Sequence, residues 1–125
     1  MTYLGIDWGE KRIGLALAEA ETRLALPFKT VDNLGEIIRT IEQRDVSIIV
    51  LGLPLKLSGL GEINPEWQKF KDELEASTNL PVALIDERLS SKGADALIGS
   101  KSDKASRDEI AAAIILQEYL DKNLA

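Results

Sequence analysis

The run Val46-Ser47-Ile48-Ile49-Val50-Leu51 constrains this chain more than any other stretch. It is β-branched and apolar on both of its alternating faces, so it reads as a strand covered above and below. Strands of that kind belong to parallel sheets with helices on both sides, and the flanking segments agree. From Leu34 to Gln43, the residues Leu34, Ile37, Ile38 and Ile41 fall at helical spacing with Glu36, Arg39 and Glu42 between them. Beyond the run, Asn64 and Pro65 read as the N-cap and first residue of a second helix with Trp67, Phe70 and Leu74 as its buried stripe. Thr78-Asn79 closes that helix, and Pro81-Val82-Ala83-Leu84-Ile85 reads as another buried strand, halted by Asp86-Glu87-Arg88. Strand, helix, strand in this order is a βαβ unit, whose strands run parallel with a right-handed crossover.

The N-terminal third has a different grammar. Tyr3-Leu4-Gly5-Ile6-Asp7 is a strand with an acid at its mouth, Trp8 to Arg12 is a tight turn, and Ile13 to Ala18 is a second strand. Leu24 to Val31 reads as a third strand in which Pro27 requires an edge position or a bulge. The fold class is therefore α/β with a mixed sheet, an antiparallel meander first and parallel strands after. A short helix is expected near Lys92 to Ile98, stopped by Gly99. The last helix is expected to open at Ser106 with Glu109 completing a capping box, and to run through the alanines at 111–113 to about Lys122.

With 125 residues and no low-complexity stretch or repeat, the chain reads as one domain, residues 1–125. No apolar run approaches a membrane span, and no signal peptide precedes the first strand, so a cytoplasmic location is expected. The sequence holds neither Cys nor His. Disulfides, thiolate nucleophiles, Ser-His or Cys-His catalysis and the usual zinc ligands are excluded together. Polar chemistry must then rest on carboxylates, Lys, Arg, Tyr and hydroxyls, and carboxylates suit hard cations such as Mg²⁺ or Mn²⁺. The formal charge of −6 speaks against a broad basic platform for nucleic acid, although clustered catalytic acids would themselves push the total that way.

Three acidic positions share one expected geometry. Asp7 ends the first strand and Asp86-Glu87 ends the last; if those strands are parallel, both sit at the sheet edge where open α/β sheets bind ligands. Asp108, expected in the first turn of the final helix on the face of Ala111, Ala112 and Ile115, could reach the same edge. Carboxylates gathered that closely need a divalent cation to neutralise them. The bland alternatives are specific: Asp7 as a turn cap, Asp108 as a partner of the helix dipole, Asp86-Glu87-Arg88 as a surface ion pair. Period-two alternation leaves Asp86 and Glu87 equally able to face the site. Gly59 and Gly61 form a weak phosphate signal, and Lys101, Lys104 and Arg107 read as a solvated loop able to seat a phosphate backbone.

In order along the chain, Gly5-Ile6-Asp7-Trp8-Gly9 with Lys11-Arg12-Ile13-Gly14, Gly52-Leu53-Pro54-Leu55, Asp86-Glu87-Arg88-Leu89-Ser90-Ser91, and Asp108 ahead of Ala111-Ala112 and Ile115-Leu116-Gln117 resemble the YqgF/RuvX family. The resemblance spans nearly the whole chain. It implies an RNase H-like fold with a five-stranded mixed sheet, strand one central, and either processing of the 5′ end of pre-16S rRNA or Holliday junction resolution. It also implies that Asp7, Glu87 and Asp108 form an acidic triad holding two Mg²⁺ or Mn²⁺ ions, with nucleic acid as partner. Arg12, Lys56, Arg88 and Lys104 are then candidates for gripping phosphate. Junction cleavage would favour a weak two-fold homodimer, while a non-catalytic RNA-binding factor or an ATPase of the actin type are the readings from other classes.

Overall fold

The computed structural model describes residues 1–54, 64–86 and 104–124. Five strands, β1 (Thr2–Asp7), β2 (Ile13–Glu19), β3 (Leu26–Val31), β4 (Val46–Leu53) and β5 (Val82–Asp86), form one sheet in the order β3-β2-β1-β4-β5. The pairs β1·β2 and β2·β3 are antiparallel, whereas β1·β4 and β4·β5 are parallel, so β1 is the central strand and the seam between meander and crossover. Both readings of Pro27 hold. β3 is an edge strand, and the register slips between Leu15, opposite Lys29, and Ala16, opposite Pro27.

Helix α1 (Leu34–Arg44) starts where the Asn33 side chain accepts the Glu36 N–H at 2.9 Å, and it stops at Asp45 in the left-handed region. Helix α2 (Pro65–Thr78) is capped by Asn64, which accepts from the N–H groups of Glu66 and Trp67, and it ends at left-handed Asn79. Helix α3 (Lys104–Asn123) begins two residues earlier than its sequence implied. Ser106 is the third residue of the helix and not its N-cap. Lys104 and Ala105 are good helix formers and simply extend the first turn. The expected helix over 92–98, the glycine loop over 58–61 and Lys101 lie outside the described residues.

The sheet is covered on both faces. Leu4, Ile6, Leu15, Ile49 and Leu51 pack with Ile37 and Ile41 of α1 and with Trp67, Phe70 and Leu74 of α2. On the other face, Tyr3, Ala16, Val50 and Ile85 pack with Ala112, Ile115, Leu116 and Leu120 of α3. β4 is an interior strand covered on both faces, as its composition required. β5 is not the buried strand its composition implied: it is the far edge, Leu84 is 43% exposed and Ile85 alone is buried. An edge strand is covered less than its neighbours, and its apolar content does not reveal that. Among the described residues no helix is long and apolar enough to cross a membrane.

Candidate active site

β1 alternates its side chains strictly: Leu4 and Ile6 point toward α1 and α2, while Tyr3 and Gly5 point toward α3. Asp7 therefore belongs to the α3 face. It pairs across the β1·β2 ladder with Gly14, and continuing the parallel register past Ile6 and Leu51 sets Gly52 beside it on the other side. The carboxylate at the centre of the sheet edge thus has glycine as its neighbour in both adjoining strands.

The space above Gly14 is taken by the main chain of α3. A Cβ built on Gly14 would collide with the carbonyl of Asp108, and one built on Gly5 would come within 2.7 Å of the Leu116 Cβ. Directly opposed residues in an antiparallel pair hold their Cβ positions about 5 Å apart, so Asp108 is seated next to Asp7. The docking has a polar fastening as well, since the Thr30 hydroxyl donates to Glu109 at 3.2 Å. Gln117, two turns on, accepts the Ala25 N–H at 2.9 Å and donates to the Arg23 carbonyl at 3.0 Å.

Asp108 is the fifth residue of α3, beyond the first turn, which among the described residues holds no acid. The helix-dipole explanation therefore does not account for it. Its Oδ2 is buried and accepts no hydrogen bond, yet the Arg12 Nε lies 3.2 Å away. The two observations are compatible. The guanidinium is close enough for an ion pair, but its N–H is not aimed at the oxygen. Arg12, a candidate phosphate contact from the sequence, is thus engaged with one of the candidate acids.

Asp86 ends β5 at the same sheet edge, in register with Leu53. It alternates with Val82, which packs on the α1/α2 side, and against Ile85, which packs on the α3 side. Asp86 therefore points away from Asp7 and Asp108. Glu87, Arg88 and Lys56 lie outside the described residues, as does the side chain of Lys104. Among the described residues no three acids form a metal-sized group. The two acids that this packing seats side by side, Asp7 and Asp108, carry carboxylate oxygens suited to a hard divalent cation.

The glycine contacts were not anticipated from the sequence. Gly14 lies inside an otherwise apolar strand, and a glycine in a strand interior is a signal of close backbone approach. That signal was available, but the partner was not, since Asp108 lies far away along the chain.

The family model described as "RuvX: Holliday junction resolvase" matches residues 1–122. Curated relatives named "Putative pre-16S rRNA nuclease" include one from Chloroflexus aurantiacus, 39% identical over 132 residues that cover 94% of this chain and 85% of the relative. Another, from Endomicrobium trichonymphae, is 37% identical over 131 residues that cover 94% of both chains. Among solved structures, Thermus thermophilus RuvC in complex with Holliday junction substrate superposes with a TM-score of 0.63 at 14% identity, covering 100% of this chain and 97% of that one. Fowlpox virus resolvase with Holliday junction DNA gives a TM-score of 0.61 at 12% identity, with 100% of both chains covered. The structural likeness carries the RNase H-like fold, and the family match together with relatives of more than one-third identity carries descent: the chain belongs to the RuvX family.

Proposed function

We propose that this protein is a metal-dependent endonuclease that hydrolyses phosphodiester bonds of structured RNA, with the 5′ end of pre-16S rRNA as its substrate. The observation that carries the reading is the seating of Asp108, with its Oδ2 buried and unbonded, over Gly14, the cross-strand partner of Asp7. A buried carboxylate oxygen without a hydrogen bond, set beside a second acid, is a poor structural device and a good cation site. Because strand alternation turns Asp86 to the other face, the reading takes its third acid to be Glu87, as the family resemblance implies.

In this mechanism Asp7, Glu87 and Asp108 would hold Mg²⁺ or Mn²⁺. Bound there, the ions supply an activated water at neutral pH and offset charge on the scissile phosphate. The residues do the rest. Asp7 is fixed at the end of the central strand, where the sheet leaves it little freedom. Asp108 is fixed by a helix that cannot slide without striking Gly14 or Gly5. No histidine is needed as base, which fits a chain that has none. Lys56, Arg88 and Lys104 are the proposed phosphate contacts, with Arg12 joining them when it is not paired to Asp108.

RNA is favoured over DNA because the curated relatives at 35–39% identity carry the rRNA nuclease name. Four-way DNA remains the second reading, favoured by the description of the matching family model. The test is a panel of pure protein with a 5′-extended 16S precursor, an unstructured RNA and a four-way DNA junction, each with Mn²⁺ and with EDTA. Manganese-dependent cleavage of the precursor supports the proposal; cleavage of the junction alone selects the second reading, and cleavage of neither overturns both.

A further inference from the structure

Resting on the cation-holding reading of Asp7 and Asp108, we propose that Arg12 is a positioning residue that takes the cation's place at Asp108: its guanidinium holds the carboxylate in the metal-free protein and leaves it when a divalent ion binds. Arg12 lies two residues before Gly14, the residue over which Asp108 is pressed, so the chain delivers the cation and the carboxylate to one spot. The Asp108 Oδ2 has lost its water and gained no hydrogen bond, and a carboxylate oxygen in that condition needs a positive neighbour. The Arg12 Nε at 3.2 Å is that neighbour.

The contact is built to be given up. It is an ion pair without hydrogen-bond alignment, and it lacks the two-pronged geometry that makes arginine–carboxylate pairs strong. The Arg12 side chain is 45% exposed, so it can swing away without unpacking the core. It also borders an open cavity of about 480 Å³ that is lined by Lys29, Thr30, Asp32 and Glu36. The Asp32 carboxylate gives a displaced guanidinium somewhere to go, while Glu36 is already paired with Arg39 at 2.9 Å. A divalent ion and the guanidinium compete for Oδ2, because their charges repel at contact distance. Loading the acids therefore releases a positive, phosphate-seeking group at the rim of the site.

The experiment follows Arg12 and the affinity together. The arginine Nε–H signals of the uniformly ¹⁵N-labelled full chain are recorded during a Mg²⁺ titration, with Arg12 assigned by the signal missing in Arg12→Lys. Mn²⁺ affinity is measured by calorimetry for the wild type and Arg12→Gln. The Arg12 signal is expected to shift toward that of a free arginine as Mg²⁺ saturates, and Arg12→Gln to bind Mn²⁺ about three- to tenfold more tightly. An Arg12 signal that Mg²⁺ does not move overturns the proposal even if affinity rises, since removing any nearby positive charge tightens a cation site. Equal affinities with an unmoved signal overturn it and leave the metal site standing. Failure of both proteins to take up either ion overturns the proposal together with the functional reading beneath it.

Discussion

Gly14 and Asp108 touch where a side chain would have to stand: the carbonyl of Asp108 fills the place that a Cβ on Gly14 would occupy. Because Gly14 is the cross-strand partner of Asp7, this contact sets the distance between two acids that lie far apart along the chain. Substituting Gly14→Ala should force α3 away from the sheet. Overpacking of this kind costs about 1–3 kcal/mol, and the strain falls on backbone that cannot rotate away. Urea denaturation should show the loss, and any remaining folded protein should have lost cation binding. Gly5→Ala is the control, because it overpacks the same helix against Leu116 without touching Asp108.

Trp67 fastens α2 to the same strand end from the opposite face. It is 1% exposed, and its indole N–H donates to the Gly52 carbonyl at 3.2 Å. Trp67→Phe leaves that carbonyl without its donor and opens a void. The expected cost is about 1–3 kcal/mol, read as a lower midpoint in urea with an unchanged slope.

Gln117 ties α3 to the segment that leads into β3, through Arg23 and Ala25. Gln117→Leu should leave global stability nearly intact, because the helix keeps its buried stripe of Ala112, Ile115, Leu116 and Leu120. The local effect should be plain. Amide exchange at Ala25 should speed up while that of β1 and β4 does not change.

Much of this architecture was legible in the chain. The Val46–Leu51 run announced a covered parallel strand, and Asn64 marked a helix start because a short polar side chain there satisfies otherwise orphaned N–H groups. Pro27 announced an irregular edge. What escaped was decided by partners distant in sequence. Ser106 and Glu109 imitate a capping box, but Lys104 and Ala105 carry the helix further back and Glu109 spends its carboxylate on Thr30. The edge position of β5 and the pairing of Arg12 with Asp108 leave no local trace, because neither spacing nor propensity encodes which surfaces meet. Asp7 and Asp108 were recognisable as candidate acids; that a glycine brings them together was not.

The central claim is that Asp7 and Asp108 act as one cation-holding pair, and the most direct measurement is Mn²⁺ binding and precursor cleavage by Asp7→Asn and Asp108→Asn beside the wild type. Each variant should keep the wild-type circular dichroism spectrum. Each should lose Mn²⁺ uptake and more than about 100-fold in cleavage rate, a larger effect than removing a group that merely supports a metal ligand. EDTA should reduce the wild type to the same level. Cleavage that survives undiminished in either variant, or in EDTA, would contradict the account.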